Sequence, residues 1–275
     1  MELRPLWTIA RRELREALHN KWLWFFAVGL AGLGLALSQA GLAAAGYAGL
    51  GGFGRTAASL VNALLLFVPL IGLIVGAGAV AGDRERGALL YLLAQPVSRA
   101  EVFFGKALGA ALAVIAALGL GFGFAGLGLA FSGDTNATAY LSMGGSVLLL
   151  ALACLGLGFV ISTITRKAST ASGAALITWL ILVFFGDLGI VGATLSLRPT
   201  PAALLGMLLA NPLQAFKLSA IYNLRSALDI LGPVGQYAVY RFDAALPLIL
   251  LGLLLAWIVM TFGIAFVLFN RKGDL

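Results

Sequence analysis

The chain has 275 residues, of which 61% are hydrophobic and only 11% are charged. Soluble domains carry roughly 25% charged residues, so this composition excludes a soluble domain that faces water on every side. The net charge of +7 sets the orientation of membrane loops here, and no nucleic-acid partner is expected. The single cysteine, Cys154, excludes a disulfide framework and a thiolate metal cluster.

An amphipathic segment, residues 5–21, opens the chain. Its pattern predicts a helix along a membrane surface, with a basic face toward anionic headgroups, so membrane lipid is an expected partner. The alternative is a solvated leader segment. The apolar face carries Leu6, Ile9, Ala10, Leu14, Ala17 and Leu18, and the other face carries Arg11, Arg12, Arg15, Glu16 and His19.

Six long apolar segments follow. Each predicts a membrane-spanning helix, because a span needs about 20 apolar residues and must satisfy its own backbone hydrogen bonds. The predicted fold is an all-α membrane protein that forms one domain, residues 1–275. Of the 18 Lys and Arg residues, thirteen fall on the side of the termini and five on the other, which places both termini in the cytoplasm. The segments are Trp22–Leu42, Ala57–Ala81, Val102–Phe131, Leu141–Ile164, Ala171–Val191 and Ala244–Phe269.

The connection between the second and third spans is longer than a plain turn. Residues 83–95 are predicted to form a short helix that faces the cytoplasm, since they are good helix formers and Pro96 ends the segment. Ser98 and Glu101 then form a capping box for the third span. The leucines at 89, 90, 92 and 93 are too apolar for an open surface. They either enter a groove on a partner or pack on the protein's own helices or the bilayer.

A long segment, residues 192–243, precedes the last span on the outer side. It predicts a helix that begins with Asn211 as N-cap and Pro212 as first residue, and ends at Gly232. Charged residues within it argue against a full span, so it is predicted to be a surface or re-entrant helix at the outer leaflet. The alternative is a seventh span.

One small-residue pattern and several absent motifs bear on packing and chemistry. Gly72 and Gly76 lie four apart in the second span, which favours internal helix packing over a dimer face. With one histidine, the chain has no nucleophile–base pair and no zincin motif. Gly105-Lys106 lacks the upstream glycine of a phosphate-binding loop. The chain is therefore expected to be non-enzymatic and without a cofactor, and any ATP must be bound by another chain.

The stretch from residue 82 to 99 reads Gly-Asp-Arg-Glu-Arg-Gly-Ala-Leu-Leu-Tyr-Leu-Leu-Ala-Gln-Pro-Val-Ser-Arg, and Gly105-Lys106 follows. This stretch and the six-span layout resemble the permease subunits of ABC-2 type (type V exporter-like) ABC transporters, although Ala88 stands where the family usually has Thr. The resemblance implies a bacterial inner-membrane homodimer, a cytoplasmic ATPase dimer that holds ATP and Mg²⁺, and a coupling helix over residues 83–95. The residues expected to couple to the ATPase are Asp83, Arg84, Glu85, Arg86, Gly87, Leu89, Leu90, Leu93, Pro96, Ser98 and Arg99, with Arg166 and Lys167 in the second cytoplasmic loop.

Residues 211–218 and 271–275 are similar to those of the permeases that serve copper-site maturation of nitrous oxide reductase. That resemblance implies a periplasmic accessory protein, with Asn211, Phe216, Lys217 and Arg225 as expected contacts. The alternatives are an exporter of lipid, drug or polysaccharide, and a membrane scaffold or anchor that transports nothing. Copper is not expected to pass through the chain, because one Cys, one His and four Met cannot supply a path of soft ligands.

Overall fold

The computed structural model describes residues 3–19, 21, 23–25, 27–29, 31, 32, 51–131, 137–197, 199–223, 232–242 and 245–271. The described elements are helices, as predicted. Most of the predicted first span lies outside these ranges, although its described residues up to 32 are helical. The elements are α1 (Leu3–Leu18), α2 (Gly51–Glu85), α3 (Ala88–Leu93), α4 (Arg99–Phe131), α5 (Ala137–Ile164), α6 (Ala168–Leu197), α7 (Pro201–Leu209), α8 (Pro212–Asn223), α9 (Gly232–Phe242) and α10 (Leu246–Arg271).

Among the described residues, five helices are long and apolar enough to cross a membrane. They lie in α2, α4, α5, α6 and α10, and each corresponds to one of the second to sixth predicted spans. Helices α7 and α8 together have the apolar character of a further span, but the pair is bent by 110° at its junction. The chain is therefore a multi-pass membrane protein.

Close contact between α2 and α5 forms the centre of the bundle. A Cβ atom on Gly76 would meet the carbonyl oxygen of Leu155, and one on Gly72 would lie 2.5 Å from the carbonyl oxygen of Ala151. Only glycine allows backbones to approach so closely. Gly72 and Gly76 thus serve internal packing, as predicted. Aromatic packing extends this core, with the Phe103 ring centroid 5.7 Å from that of Phe159 and 5.6 Å from that of Phe269.

Helix α1 packs against the first turns of α4. Ile9 and Ala10 are buried, and a Cβ atom on Gly105 would lie 2.9 Å from the Cβ of Ile9. Gly109 brings the α4 backbone against the carbonyl of Ala10 in the same way. The predicted amphipathic helix is present, and protein covers the centre of its apolar face.

The segment after α6 differs from the sequence prediction in three respects. Helix α6 continues past Val191 to Leu197, and the helix α7 was not predicted. Thr200 caps α7 by accepting a hydrogen bond from the Ala203 amide at 3.3 Å. Helix α9 begins at Gly232, where the sequence predicted a helix end.

Helix α8 begins as predicted, with the Leu213 amide donating to the Asn211 side-chain oxygen at 3.0 Å. It lies against α2, α5 and α10, and its residues Leu213, Phe216 and Ile221 are buried. A surface location is therefore wrong for this helix. The bent α7–α8 pair has the form of a broken span or a re-entrant loop.

Candidate functional site at the loop end of the bundle

The end of the bundle that holds residues 86–98 and 165–167 is here called the loop end. Helix α2 runs unbroken to Glu85, so residues Asp83 to Glu85 form its last turn rather than the start of a separate helix. Gly87 has a φ of 73°, a left-handed conformation that ends helices and that glycine adopts without strain. The predicted helix over 83–95 is therefore wrong in extent, and the separate helix α3 covers only Ala88–Leu93.

Helix α3 buries one side and exposes the other. Leu89 is 1% exposed and packs in the main core, and Leu93 packs partly against that core. Leu90 is 54% exposed and Tyr91 is 72% exposed. The alternative of packing on the protein's own helices holds for Leu89 and in part for Leu93, whereas Leu90 is exposed. Leu89 does not offer its side chain to a partner. We call Leu90 and Tyr91 the exposed face of α3.

The connection from α3 to α4 ends in the predicted capping box. The Ser98 amide donates to Glu101 Oε2 at 2.9 Å, and the Glu101 amide donates to Ser98 Oγ at 3.2 Å. Pro96, which was predicted to end the short helix, lies exposed between α3 and this cap. Arg99 Nη1 donates to the carbonyl of Asn270 at 3.3 Å, which ties the start of α4 to the end of α10.

Arg84 and Glu85 fasten α2 to the next pair of helices. Arg84 Nη1 donates to the carbonyls of Ser162, Thr163 and Thr165, at the end of α5. Glu85 Oε2 accepts from the Ala168 amide at 2.8 Å, at the start of α6. Both side chains thus have partners inside the chain, although Glu85 is exposed. Arg166 and Lys167, between these helices, are exposed at the loop end.

A buried ionic cluster joins α1, α2 and α4. Lys106 Nζ lies 2.6 Å from Glu13 Oε2 and 2.6 Å from Asp83 Oδ2, and it donates to the carbonyl of Ala79 at 2.9 Å. The Lys106 and Asp83 side chains are 1% and 2% exposed. Burial raises the pKa of the Glu13 carboxyl, and the nearby Lys106 ammonium opposes that shift only in part. We call Glu13, Asp83 and Lys106 the buried cluster.

Sequence reasoning missed this cluster. Asp83 was expected to couple to an ATPase, yet its side chain is buried and bonded within the chain, so that expectation is corrected. A lysine within an apolar span demands a partner. The apolar surroundings of Lys106 in the sequence could therefore have predicted an acidic partner. Glu13 on the amphipathic helix was one candidate for that partner.

A second polar group lies at the opposite end, where α6 meets α8. Gln214 Nε2 and Lys217 Nζ donate to Asp187 Oδ1 at 2.9 and 3.0 Å, and Asn211 Nδ2 donates to the Leu182 carbonyl at 2.7 Å. Phe216 is fully buried, so the expected contact between its side chain and a periplasmic protein is corrected. Arg225 lies outside the described residues.

Metal ligands do not gather in the part of the chain that the structure describes. No group of three His, Cys, Asp or Glu side chains there could hold an ion. Cys154 is a free thiol in the core of α5, and Met143 is buried on the same helix.

Across residues 7–273, the chain matches the sequence profile described as ABC-2 family transporter protein. The chain belongs to the ABC-2 family. It is a permease subunit of the ABC transporter type.

Two curated relatives are similar along most of the permease. The "Probable ABC transporter permease protein NosY" of Pseudomonas aeruginosa is 34% identical over 220 residues, which cover 78% of this chain and 80% of the relative. The protein of the same name from Stutzerimonas stutzeri is 30% identical over 279 residues, covering 98% of this chain and 99% of the relative. The similarity thus includes the loop end and the α7–α8 pair.

Proposed function

We propose that this permease binds a separate cytoplasmic ATPase dimer at the loop end and couples ATP hydrolysis to transport or mechanical transmission across the bacterial inner membrane. The observation that carries the proposal is the exposed face of α3, Leu90 and Tyr91. In the same setting, the permease supports copper-site maturation of nitrous oxide reductase, as its similarity to the NosY permeases suggests.

The surroundings of α3 suit a docking element. Leu89 anchors α3 in the core, while Gly87 turns the chain so that Leu90 and Tyr91 point outward. Exposed apolar side chains at a bundle end that faces water are best explained by a partner's groove, since burying apolar area stabilises a complex by about 25 cal/mol per Å². Arg166 and Lys167 lie exposed at the same end and add positive charge for an acidic rim.

The remaining assembly is part of the same proposal. The excess of Lys and Arg on the side of the termini supports a cytoplasmic loop end. The broad apolar faces of α6 and α10, with Phe185 and Val259 exposed, suit a homodimer contact and membrane lipid. A periplasmic accessory protein would bind the outer segment, residues 192–243, through groups other than Phe216.

The docking proposal predicts the effect of charge on α3. Replacing Leu90 with aspartate should weaken ATPase binding by roughly 30-fold or more, as expected for a hot-spot residue worth about 2 kcal/mol. The measurement is the amount of ATPase that co-purifies with the permease from membranes, together with ATP turnover of the complex. Tyr91→Asp should act in the same direction.

Tyr240→Asp is the matched control, because Tyr240 is 89% exposed on α9, away from the loop end. It should leave ATPase binding unchanged. Unaltered ATPase recovery in both Leu90→Asp and Tyr91→Asp would contradict docking at α3. If no ATPase co-purifies even with the unaltered permease, the chain is a scaffold or anchor instead.

We also expect that copper takes no path through the permease. Copper(I) needs thiolate, thioether or imidazole ligands, and Cys154 and Met143 are buried in one helix while Met207 and Met260 lie on α7 and α10. A permease with Cys154→Ala and leucine at the three methionines should still support copper loading of nitrous oxide reductase. Copper content of the reductase, in a host with no other permease copy, is the measurement. Loss of copper loading, in a complex that still assembles and hydrolyses ATP, would contradict the prediction and indicate that these side chains bind copper in transit.

A further inference from the structure

The buried cluster lies where two helices of the bundle meet α1. Its three charged groups belong to three helices. Glu13 is on α1, Asp83 is in the last turn of α2, and Lys106 is the eighth residue of α4. Ionisable groups at such depth are costly unless they are paired and hydrogen-bonded. Here the Lys106 ammonium donates to Glu13 and to the Ala79 carbonyl and forms an ion pair with Asp83.

The cluster continues outward to the loop that carries α3. Asp83 Oδ1 accepts from Arg86 Nη2 at 2.9 Å, and the same nitrogen lies 3.9 Å from Glu16 Oε2 on α1. Glu16 in turn pairs with Arg12 at 2.8 Å. Charged groups of alternating sign therefore run from α1 through α4 and α2 to Arg86, and return to α1.

The position of Arg86 makes this network relevant to the loop. Arg86 immediately precedes Gly87, and Gly87 sets the direction of α3. The backbone path from α3 to α2 runs through this residue pair. Arg86 pairs with Asp83 on its inner side and lies beside Glu16 of α1, so these ion pairs link the loop to both α2 and α1.

The fit between α1 and α4 is equally close. Gly105 and Gly109 flank Lys106 in sequence, and each brings the α4 backbone onto α1, against Ile9 and Ala10 respectively. Tight packing on both sides of the ammonium group leaves α1 little freedom to slide. The contact resembles a packed core, which shifts between discrete arrangements rather than deforming continuously.

We propose that Lys106 is a positioning residue for ATPase coupling, which holds α1, the loop of α3 and the start of α4 together as one moving body. The inference rests on the proposed function, because it concerns how a push on the exposed face of α3 reaches the membrane helices. Lys106 acts through Asp83 on Arg86 and through Glu13 on α1. It does not itself touch the ATPase.

The test separates this role from a merely structural one by removing all three charges together. A permease with Glu13→Gln, Asp83→Asn and Lys106→Met keeps the shape of the cluster and leaves no unpaired buried charge. In the complete complex in lipid, it should still bind the ATPase. ATP turnover should fall by about 2- to 30-fold, the range that follows from coupling energies in packed networks.

A distance measurement accompanies the turnover assay. Spin labels at Arg11→Cys on α1 and Gln95→Cys beyond α3 report whether α1 and the loop stay together, and both sites are exposed. Cys154 is fully buried and would stay unlabelled. The distance distribution should be at least twice as wide in the triple variant as in the otherwise unaltered permease. The control Thr178→Val, which removes a hydroxyl that donates to the Ala174 carbonyl within α6, should change neither readout.

Turnover and distances like those of the unaltered complex, in a triple variant that binds the ATPase, would overturn the proposal and leave the docking function standing. If the triple variant does not assemble, the labels on the otherwise unaltered complex decide. Their separation should stay constant when a non-hydrolysable ATP analogue closes the ATPase. A nucleotide-dependent change in that separation would refute the single moving body. Failure of the unaltered permease to bind any ATPase would instead refute the docking function.

Discussion

Replacing Lys106 alone with methionine is expected to lower the free energy of unfolding by about 3–5 kcal/mol, the range for breaking a buried charge pair by removing one partner. The substitution leaves Glu13 and Asp83 facing each other near the vacated site. The two carboxylates lose the buried cation that they share and repel each other, and Asp83 keeps its pair with Arg86 on the outer side. Thermal unfolding of the purified permease in detergent, with the recovery of folded protein from membranes, is the measurement.

Lys217→Met provides the matched comparison for that experiment. Lys217 also pairs with an aspartate, but its side chain is 28% exposed and that of Asp187 is 59% exposed. An exposed pair contributes about 1 kcal/mol or less. Equal losses of stability in the two variants would show that the buried cluster contributes no more to the free energy of unfolding than the exposed pair.

Replacing Gly76 with valine is expected to be the most damaging of the glycine substitutions between α2 and α5. The new Cβ would meet the Leu155 carbonyl oxygen and lie 2.9 Å from the Gly158 Cα. Both atoms are backbone, so they cannot swing aside as a side chain would. We expect a loss of about 3 kcal/mol, the upper end of the usual range for overpacking.

Gly78→Val is the control for this substitution, because a Cβ atom at Gly78 has nothing within 4 Å. Both glycines lie in α2, so the change in helix propensity is the same and the difference isolates the packing term. The same unfolding assay applies. A Gly76→Val permease as stable as the Gly78→Val permease would contradict the close approach of α2 and α5.

Local signals predicted much of this fold. The capping box at Ser98 and Glu101 and the N-cap at Asn211 form as expected because their partners lie within three residues. Five of the six predicted spans correspond to described helices, because a long apolar segment satisfies its backbone hydrogen bonds in lipid by forming a helix. Gly87 also carried a local signal, since a glycine after a charged helical turn commonly ends a helix, and its neglect made the predicted helix over 83–95 too long.

The site residues were harder to assign because their partners are distant in sequence. Arg84 and Glu85 have the charge and position of surface residues, yet their hydrogen-bond partners lie about 80 positions further along the chain. Leu89 and Leu90 are adjacent and chemically identical, and only the orientation of α3 on the core buries one and exposes the other. Helix α8 was partly predictable, but its burial depends on α2, α5 and α10 surrounding it.

The pairing of Asp83 with Lys106 also bears on how the nascent chain enters the bilayer. Each charge on its own would cost about 2.5–3.5 kcal/mol at the centre of a single inserting helix, and less near its end. Their helices follow one another in the sequence, and only α3 and its connections separate them. A translocon that releases α2 and α4 as one hairpin would deliver the two charges already neutralised, before α5 and α6 are synthesised.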